Sequence, residues 1–324
     1  MKLLFVTLFD KKYFIKGVAM VDSLLLYSQD NEILILALDK VSYSKLTEYY
    51  DLNNRVFVKN TEYIGKELNK QIIESRTYRE YCWALSSILS HTALNKQKLD
   101  VIYLDADIYF FNSIESLLNQ CRSESVAITP HRFSEKYKFL EINGRYNVQW
   151  VYFKNNESGQ LVAQEWMEDC ILSTSYDANS GIVGDQKYLD KWPEKYKNIL
   201  EIDDLGAGLA PWNQENVSLS KSGSSILIDD KFTLLFYHFH SFKIFGNKYV
   251  LPVSSFYKLD DPMIELVYKP YISKLNSLLN NNCAKMDLIL AGPKFSIFLN
   301  LLQVVAIRVT QSKLWKLLRF LNFS

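Results

Sequence analysis

Glycine and proline are scarce in this chain, 11 and 7 of 324 residues, which excludes collagen-like and low-complexity architectures. Cysteine is scarcer still: Cys82, Cys121, Cys170 and Cys283 lie far apart, none at a metal-ligand spacing such as Cys-x-x-Cys. Reduced thiols are the expectation. No run reaches the roughly 18 consecutive apolar residues that a bilayer span requires. Charge of one sign is also missing, because 37 Lys+Arg stand against 36 Asp+Glu. Non-specific nucleic-acid binding needs many clustered cations, so no nucleic-acid partner is expected. The opening run 1–9 has neither the length nor the small-residue cleavage site of a secretory leader, and it reads as a buried strand. A cytoplasmic location is expected.

What the chain does contain is 48% hydrophobic and 14% aromatic residues, enough for one large α/β domain or two small ones. Residues 3–8 and 32–38 are short apolar runs, and Val18, Val21, Leu24 and Leu25 recur between them at helical spacing. This strand, helix, strand unit favours a mostly parallel sheet covered on both faces. The spacing of Ile72, Tyr78, Tyr81, Leu85, Ile88 and Leu89 predicts one long helix over 69–96, followed by a strand at 101–104. Further strands are expected at 126–129, 148–153 and 234–239, and a helix at 161–172. Residues 173–223 hold most of the loop signals, and loops of that length tend to carry function.

Chance alone supplies about four acidic pairs at Asp-x-Asp spacing in a chain of this composition, and Glu201 with Asp203 is one such pair. Asp105 and Asp107 differ in context. They end an apolar strand and are followed by the apolar run 108–111, where two carboxylates are expensive to bury. Ligands of open α/β sheets bind beyond the carboxyl ends of the strands, and a hard divalent cation there would neutralise the pair and bridge phosphate oxygens. The alternative is a helix cap, although Asn112 or Ser113 can provide that without the Asp pair. A second constellation places His238 and His240 at strand spacing among aromatics, with Lys243 after them. Histidines in such surroundings are often plain core residues, yet a neutral imidazole can complete a Mn2+-type site of carboxylates.

These residues, in this order, resemble the metal-dependent GT-A glycosyltransferases, and within them glycosyltransferase family 8. The similarity runs through Phe5-Val6-Thr7-Leu8, Lys16-Gly17-Val18, Arg79 with Cys82-Trp83, Tyr103-Leu104-Asp105-Ala106-Asp107, Gly184-Asp185-Gln186 and His238-Phe239. The variations resemble a bacterial branch that builds surface polysaccharide or lipopolysaccharide, through Ala210-Pro211-Trp212-Asn213 and Thr129-Pro130-His131-Arg132-Phe133. The family strand that lines the donor sugar reads Asn-x-Gly, and here it is Asn147-Val148-Gln149. The late family motif carries Gly three and Lys six residues after its histidine, whereas here Ser241 and Lys243 stand at three and five.

The resemblance implies a single Rossmann-like mixed α/β sheet flanked by helices, with a C-terminal helical tail. It implies a hexosyltransferase-type enzyme that takes a nucleotide-diphosphate sugar, with UDP as the expected nucleotide, and a glycan or lipid-linked acceptor. Asp105, Asp107 and His238 would hold Mn2+ or Mg2+. Arg79 and Lys243 would neutralise donor charge, Thr7, Leu8 and Phe14 would line the base and ribose pocket, and Asn147 would contact the donor sugar. Gln186, with Asp185 beside it, would lie under the anomeric carbon in a retaining transfer; Asp185 is the carboxylate to test if Gln186 is not the group. Trp212 and Asn213 fall at acceptor contacts, His131 and His240 are further acceptor candidates, and a surface turn is the alternative for His131.

Three segments are expected: a transferase domain at 1–250, a helical extension at 251–290, and a tail at 291–324. In the tail Leu314, Leu317, Leu318 and Leu321 fall on one helical face and Lys313, Lys316 and Arg319 on another. Residues 288–324 hold five Lys+Arg and no acidic residue, so the rest of the chain carries −4. That pattern fits a helix lying on anionic lipid at the inner face of a bacterial membrane, or one docked on the protein's own core. Two other functions remain open. A sugar-nucleotide nucleotidyltransferase should carry a Gly-rich basic loop where Thr7-Leu8-Phe9-Asp10 stands, and a membrane-associated glycan-binding protein would need no metal site.

Overall fold

The computed structural model describes residues 2–28, 30–177, 181–245, 249–251 and 256–280. Cys283 and the amphipathic tail at 291–324 lie outside these residues, as do Asn179 and Ser180 of the expected loop.

A seven-stranded sheet forms the centre, in the order Ile199–Glu201, β6 (Val126–Pro130), β7 (Tyr146–Phe153), β4 (Asp100–Leu104), β1 (Leu3–Phe9), β2 (Glu32–Ala37) and β3 (Val56–Lys59). Only β7 runs antiparallel to its neighbours, so the sheet is mixed and mostly parallel. The unbroken apolar run of β1 follows from cover on both faces. Leu3, Phe5 and Phe9 enter one buried cluster with α1 (Phe14–Tyr27), while Leu4, Val6 and Leu8 enter a second with α4 (Tyr78–Gln97) and α6 (Glu157–Leu172). Each such buried side chain contributes roughly 1.5–3 kcal/mol.

The expected helix over 69–96 is two helices, α3 (Lys66–Glu74) and α4; α2 (Lys40–Tyr49) precedes them in the chain and α5 (Glu115–Cys121) follows. Thr77 caps α4 by accepting from Glu80 N, and the Glu80 carboxylate accepts from Thr77 N at 2.9 Å, so a new helix starts there. The expected strand at 234–239 is shorter, Phe236–His238. It pairs antiparallel with β5 (Ile108–Phe110) outside the central sheet, placing His238 opposite Ile108. Phe239 N donates to Asp107 O at 2.8 Å and fixes that register.

Residues 261–280 pack into the same core as the sheet. Tyr268, Tyr271 and Leu275 are buried there, Tyr271 stacks on Phe239 with centroids 3.7 Å apart, and Lys274 meets Asp22 of α1 at 2.7 Å. Cys82, Cys121 and Cys170 are free thiols. Among the described residues no helix is long and apolar enough to cross a membrane.

Candidate active site

Strand order reverses between β1 and β4, and ligands of open α/β sheets bind beyond the carboxyl ends of the strands at such a point. Asp105 follows β4 immediately, and its N–H donates to Gln149 O of β7 at 3.2 Å, which turns the chain so that Asp107 re-enters the protein. The β5 pairing then delivers His238, whose Nε2 lies 3.1 Å from Asp107 Oδ1. One ligand atom from each of Asp105, Asp107 and His238 can be chosen with all three within 4.8 Å of one another. The donor set fits a divalent cation of the Mn2+ or Mg2+ kind: two carboxylates, an imidazole, and a buried His238 Nδ1 that has no hydrogen-bond partner among the described residues. The two carboxylates do not cap α5, which starts beyond Asn112 and Ser113.

Electrostatics separate the two carboxylates. Burial pushes Asp105 up to about 6, with His238 pulling it down and Asp107 adding to the rise. Burial acts upward on Asp107 too, but the charge and hydrogen bond of His238, then Lys16 and His240, outweigh it and hold Asp107 well below the usual carboxylate range. For His238 the desolvation that lowers its proton affinity is overcome by Asp107, and the net shift is upward. A bound cation would compete with that proton.

Lys16 belongs to a segment that resembles the family in sequence, Lys16-Gly17-Val18, but the sequence alone assigned it no site role. It is 7% exposed, with Nζ 3.8 Å from Asp107 Oδ2 and 3.4 Å from Phe242 O. Gly17 makes the approach possible, since a Cβ there would lie 2.5 Å from the Phe9 ring. The available signal was a lysine inside an otherwise apolar helical stripe. Phe14, expected in the base pocket, is buried in the core at 2% exposure, so no face of its ring is open to a nucleotide. Its neighbour Tyr13, at 42% exposure, is the open ring and lies over Lys16 Nζ at 3.4 Å. Thr7 is buried with its hydroxyl unpartnered among the described residues, and Leu8 is buried beside it. Arg79 is exposed over Trp83 at 5.9 Å, and Lys243 is exposed but close enough to depress the proton affinity of Lys16.

Asp185 and Gln186 reach the site from the other side. Asp185 is buried, and desolvation raises it to about 7, with Asp105 adding to the rise and Ser86 opposing it. Ser86 Oγ lies 2.6 Å from Trp83 O and 2.5 Å from Asp185 Oδ2. A hydroxyl has one proton, so it can donate to only one of these oxygens. A protonated Asp185 that donates to Ser86 while Ser86 donates to Trp83 O satisfies both contacts. Gln186 is half-buried, with Nε2 donating to Asn143 O at 2.8 Å and Oε1 accepting from Asn147 Nδ2 at 3.4 Å.

Asn147 Nδ2 also lies 2.9 Å from His131 Nε2, which joins the donor-side residues to the acceptor candidates. Trp212 Nε1 and Asn213 Nδ2 both donate to His131 O, at 2.9 and 2.8 Å. The Trp212 ring stands edge-on to His238 and His240, with centroids 5.2 and 5.4 Å away. His131 is 4% exposed and burial drives it down to about 3, so it is a neutral, buried residue and no surface turn. Arg132, at a φ of 50°, donates to Ala207 O, Ile202 O and Asp204 O and ties the 202–207 loop beneath this group.

The mixed, mostly parallel α/β sheet, with Asp105, Asp107 and His238 gathered beyond β4, has the architecture of the nucleotide-sugar transferases of GT-A fold. The family model for nucleotide-diphospho-sugar transferases matches residues 29–194, just over half of the chain, and the protein belongs to that family. It is a glycosyltransferase. Among curated proteins the chain is similar to the uncharacterized Bacillus subtilis (strain 168) proteins YfnD and YfnF. YfnD is 28% identical over 278 residues, 84% of this chain and 88% of that protein. YfnF is 27% identical over 273 residues, 81% and 89% of the two chains. Among solved structures, the galactosyltransferase LgtC in complex with donor and acceptor sugar analogues is 12% identical over 85% of this chain and 96% of its own, with a TM-score of 0.49. Mouse xyloside xylosyltransferase 1 is 10% identical over 74% and 98%, also at 0.49.

Proposed function

We propose that the protein is a metal-dependent hexosyltransferase that moves a sugar, with retention, from a UDP-sugar to a glycan or lipid-linked acceptor in surface-polysaccharide or lipopolysaccharide synthesis. The observation that carries the metal reading is the convergence of Asp105, Asp107 and His238 from two distant segments. Bound there, a divalent cation would supply charge neutralisation for the departing nucleoside diphosphate.

The remaining roles fall to the chain's own residues. Gln186, held by Asn143 and Asn147, presents an amide, a poor nucleophile suited to stabilising cationic sugar character during front-face attack. Asp185, whose burial favours the protonated form, is no nucleophile either and serves as a hydrogen-bond donor. His131, Trp212 and Asn213 are a buried, hydrogen-bonded group that backs the acceptor side and holds its shape. Tyr13 is the aromatic available to a nucleobase. Thr7, Leu8, Arg79 and Lys243 are assigned to the donor by the family pattern. The basic, apolar tail supports a place on the inner face of the cell membrane, next to a lipid-linked acceptor.

Calorimetric titration with UDP tests the donor and metal assignments. Binding is expected with Mn2+, lost with chelator and lost in Asp107→Asn; UDP binding of equal strength without metal would reject the metal assignment.

A further inference from the structure

The ammonium of Lys16 is placed where three effects oppose a cation. It is buried, it stands in the first turn of α1 near the positive end of the helix dipole, and Lys243 is close enough to disfavour its charge. Its partners do not make up the difference. An ammonium has three N–H donors. Among the described residues Lys16 makes a single long hydrogen bond, to Phe242 O at 3.4 Å, and its approach to Asp107 Oδ2 at 3.8 Å is an ion pair beyond hydrogen-bonding range. Tyr13 covers one side of it. A lysine kept only to pair with Asp107 would close that distance. Among the described residues no acceptor takes its other two N–H donors, one side of the ammonium being covered by the Tyr13 ring, so a donor remains for a group that is not protein.

Charge identifies the group. Asp107 offers Oδ1 to His238 and turns Oδ2 toward Lys16, so the ammonium sits at the border of the cation site. Two carboxylates, a neutral imidazole, a divalent cation and Lys16 together carry one net positive charge, which an anion must balance. We infer that Lys16 is a phosphate-binding residue of the donor site, whose ammonium takes a diphosphate oxygen alongside the cation and repels the cation while the nucleotide is absent. This rests on the metal and nucleotide-diphosphate reading given above. It gives a phosphate-binding role to a cation on α1 that the sequence pattern contained without a role, in addition to the late lysine.

The two halves of the inference predict shifts of opposite sign for one substitution. In Lys16→Met the apolar stem is kept and the charge removed. Mn2+ alone, followed by the electron paramagnetic resonance of the free ion, should bind on the order of tenfold more tightly than in the parent protein, because a like charge beside the site is gone. UDP at saturating Mn2+ should bind at least about tenfold more weakly, a charge-assisted hydrogen bond having been lost, while uridine, which has no phosphate, should bind as before. Lys16→Arg keeps the charge and should leave Mn2+ affinity near that of the parent protein. Unchanged Mn2+ and UDP affinities in Lys16→Met would overturn the inference. So would a parallel loss of Mn2+, UDP and uridine binding, which would make Lys16 a structural strap between α1 and Phe242. If the parent protein bound neither Mn2+ nor UDP, the site reading itself would fall and the inference with it.

Discussion

Substituting Asn for Asp185 tests whether this carboxyl is held protonated by its surroundings. Buried beside Ser86 and under the influence of Asp105, it titrates near 7 in the fold against 3.8 when free. At about 1.4 kcal/mol for each tenfold change in proton activity, that difference amounts to about 4 kcal/mol. The sign follows from proton uptake: the native state holds the proton that the unfolded chain has already lost, so stability falls as pH rises from about 4 to 7 and is flat above about 8. The amide introduced by Asp185→Asn is neutral throughout and escapes the loss. Relative to the parent protein, the variant should therefore gain about 3 kcal/mol between pH 5 and pH 8. With an unfolding entropy of roughly 2.1 cal/mol/K per residue, the gain corresponds to a melting temperature about 4 °C further above that of the parent at pH 8 than at pH 5. Thermal melts of both proteins in chelator at the two pH values read it directly. A difference between variant and parent that does not change with pH would refute the protonated Asp185 and the proton relay through Ser86 to Trp83 O.

Gly17→Ala places a methyl 2.5 Å from the Phe9 ring, and moving α1 outward to relieve it should cost about 1–3 kcal/mol in denaturant unfolding; an unaffected midpoint would contradict the close packing of α1 on β1. Removal of residues after Gly292 should leave a soluble, active enzyme and shift it from the membrane fraction of lysed cells to the supernatant. A truncated enzyme that stays with the membranes would contradict the lipid-binding tail.

The central strands were legible because burial on both faces writes an uninterrupted apolar run, as in β1 and in the approach to Asp105. The break between α3 and α4 was hidden by apolar spacing that continues across it, although Thr77-Tyr78-Arg79-Glu80 carries the capping signature. The strands Val56–Lys59 and Ile199–Glu201 are short and lie at the sheet edges, where partial exposure removes the apolar signal. At the site, the sequence named Asp105, Asp107 and His238, and the fold brings them together. It named Phe14 for the base pocket, whereas the exposed ring is its neighbour Tyr13, because which ring is open depends on how α1 docks through Gly17. It could not show that Lys16 faces Asp107 or that Ser86 meets Asp185, since both contacts join distant segments.

Release of nucleoside diphosphate from a panel of nucleotide sugars, followed by chromatography with Mn2+ and with chelator, bears most directly on the enzyme. At least one sugar nucleotide should be turned over in Mn2+, slowly to water and faster when an acceptor glycan is added, with the activity lost in chelator and in Asp105→Asn and Asp107→Asn. Turnover that survives chelation and both substitutions would contradict a cation site at these carboxylates, and no turnover of any donor with any acceptor would contradict the assigned chemistry.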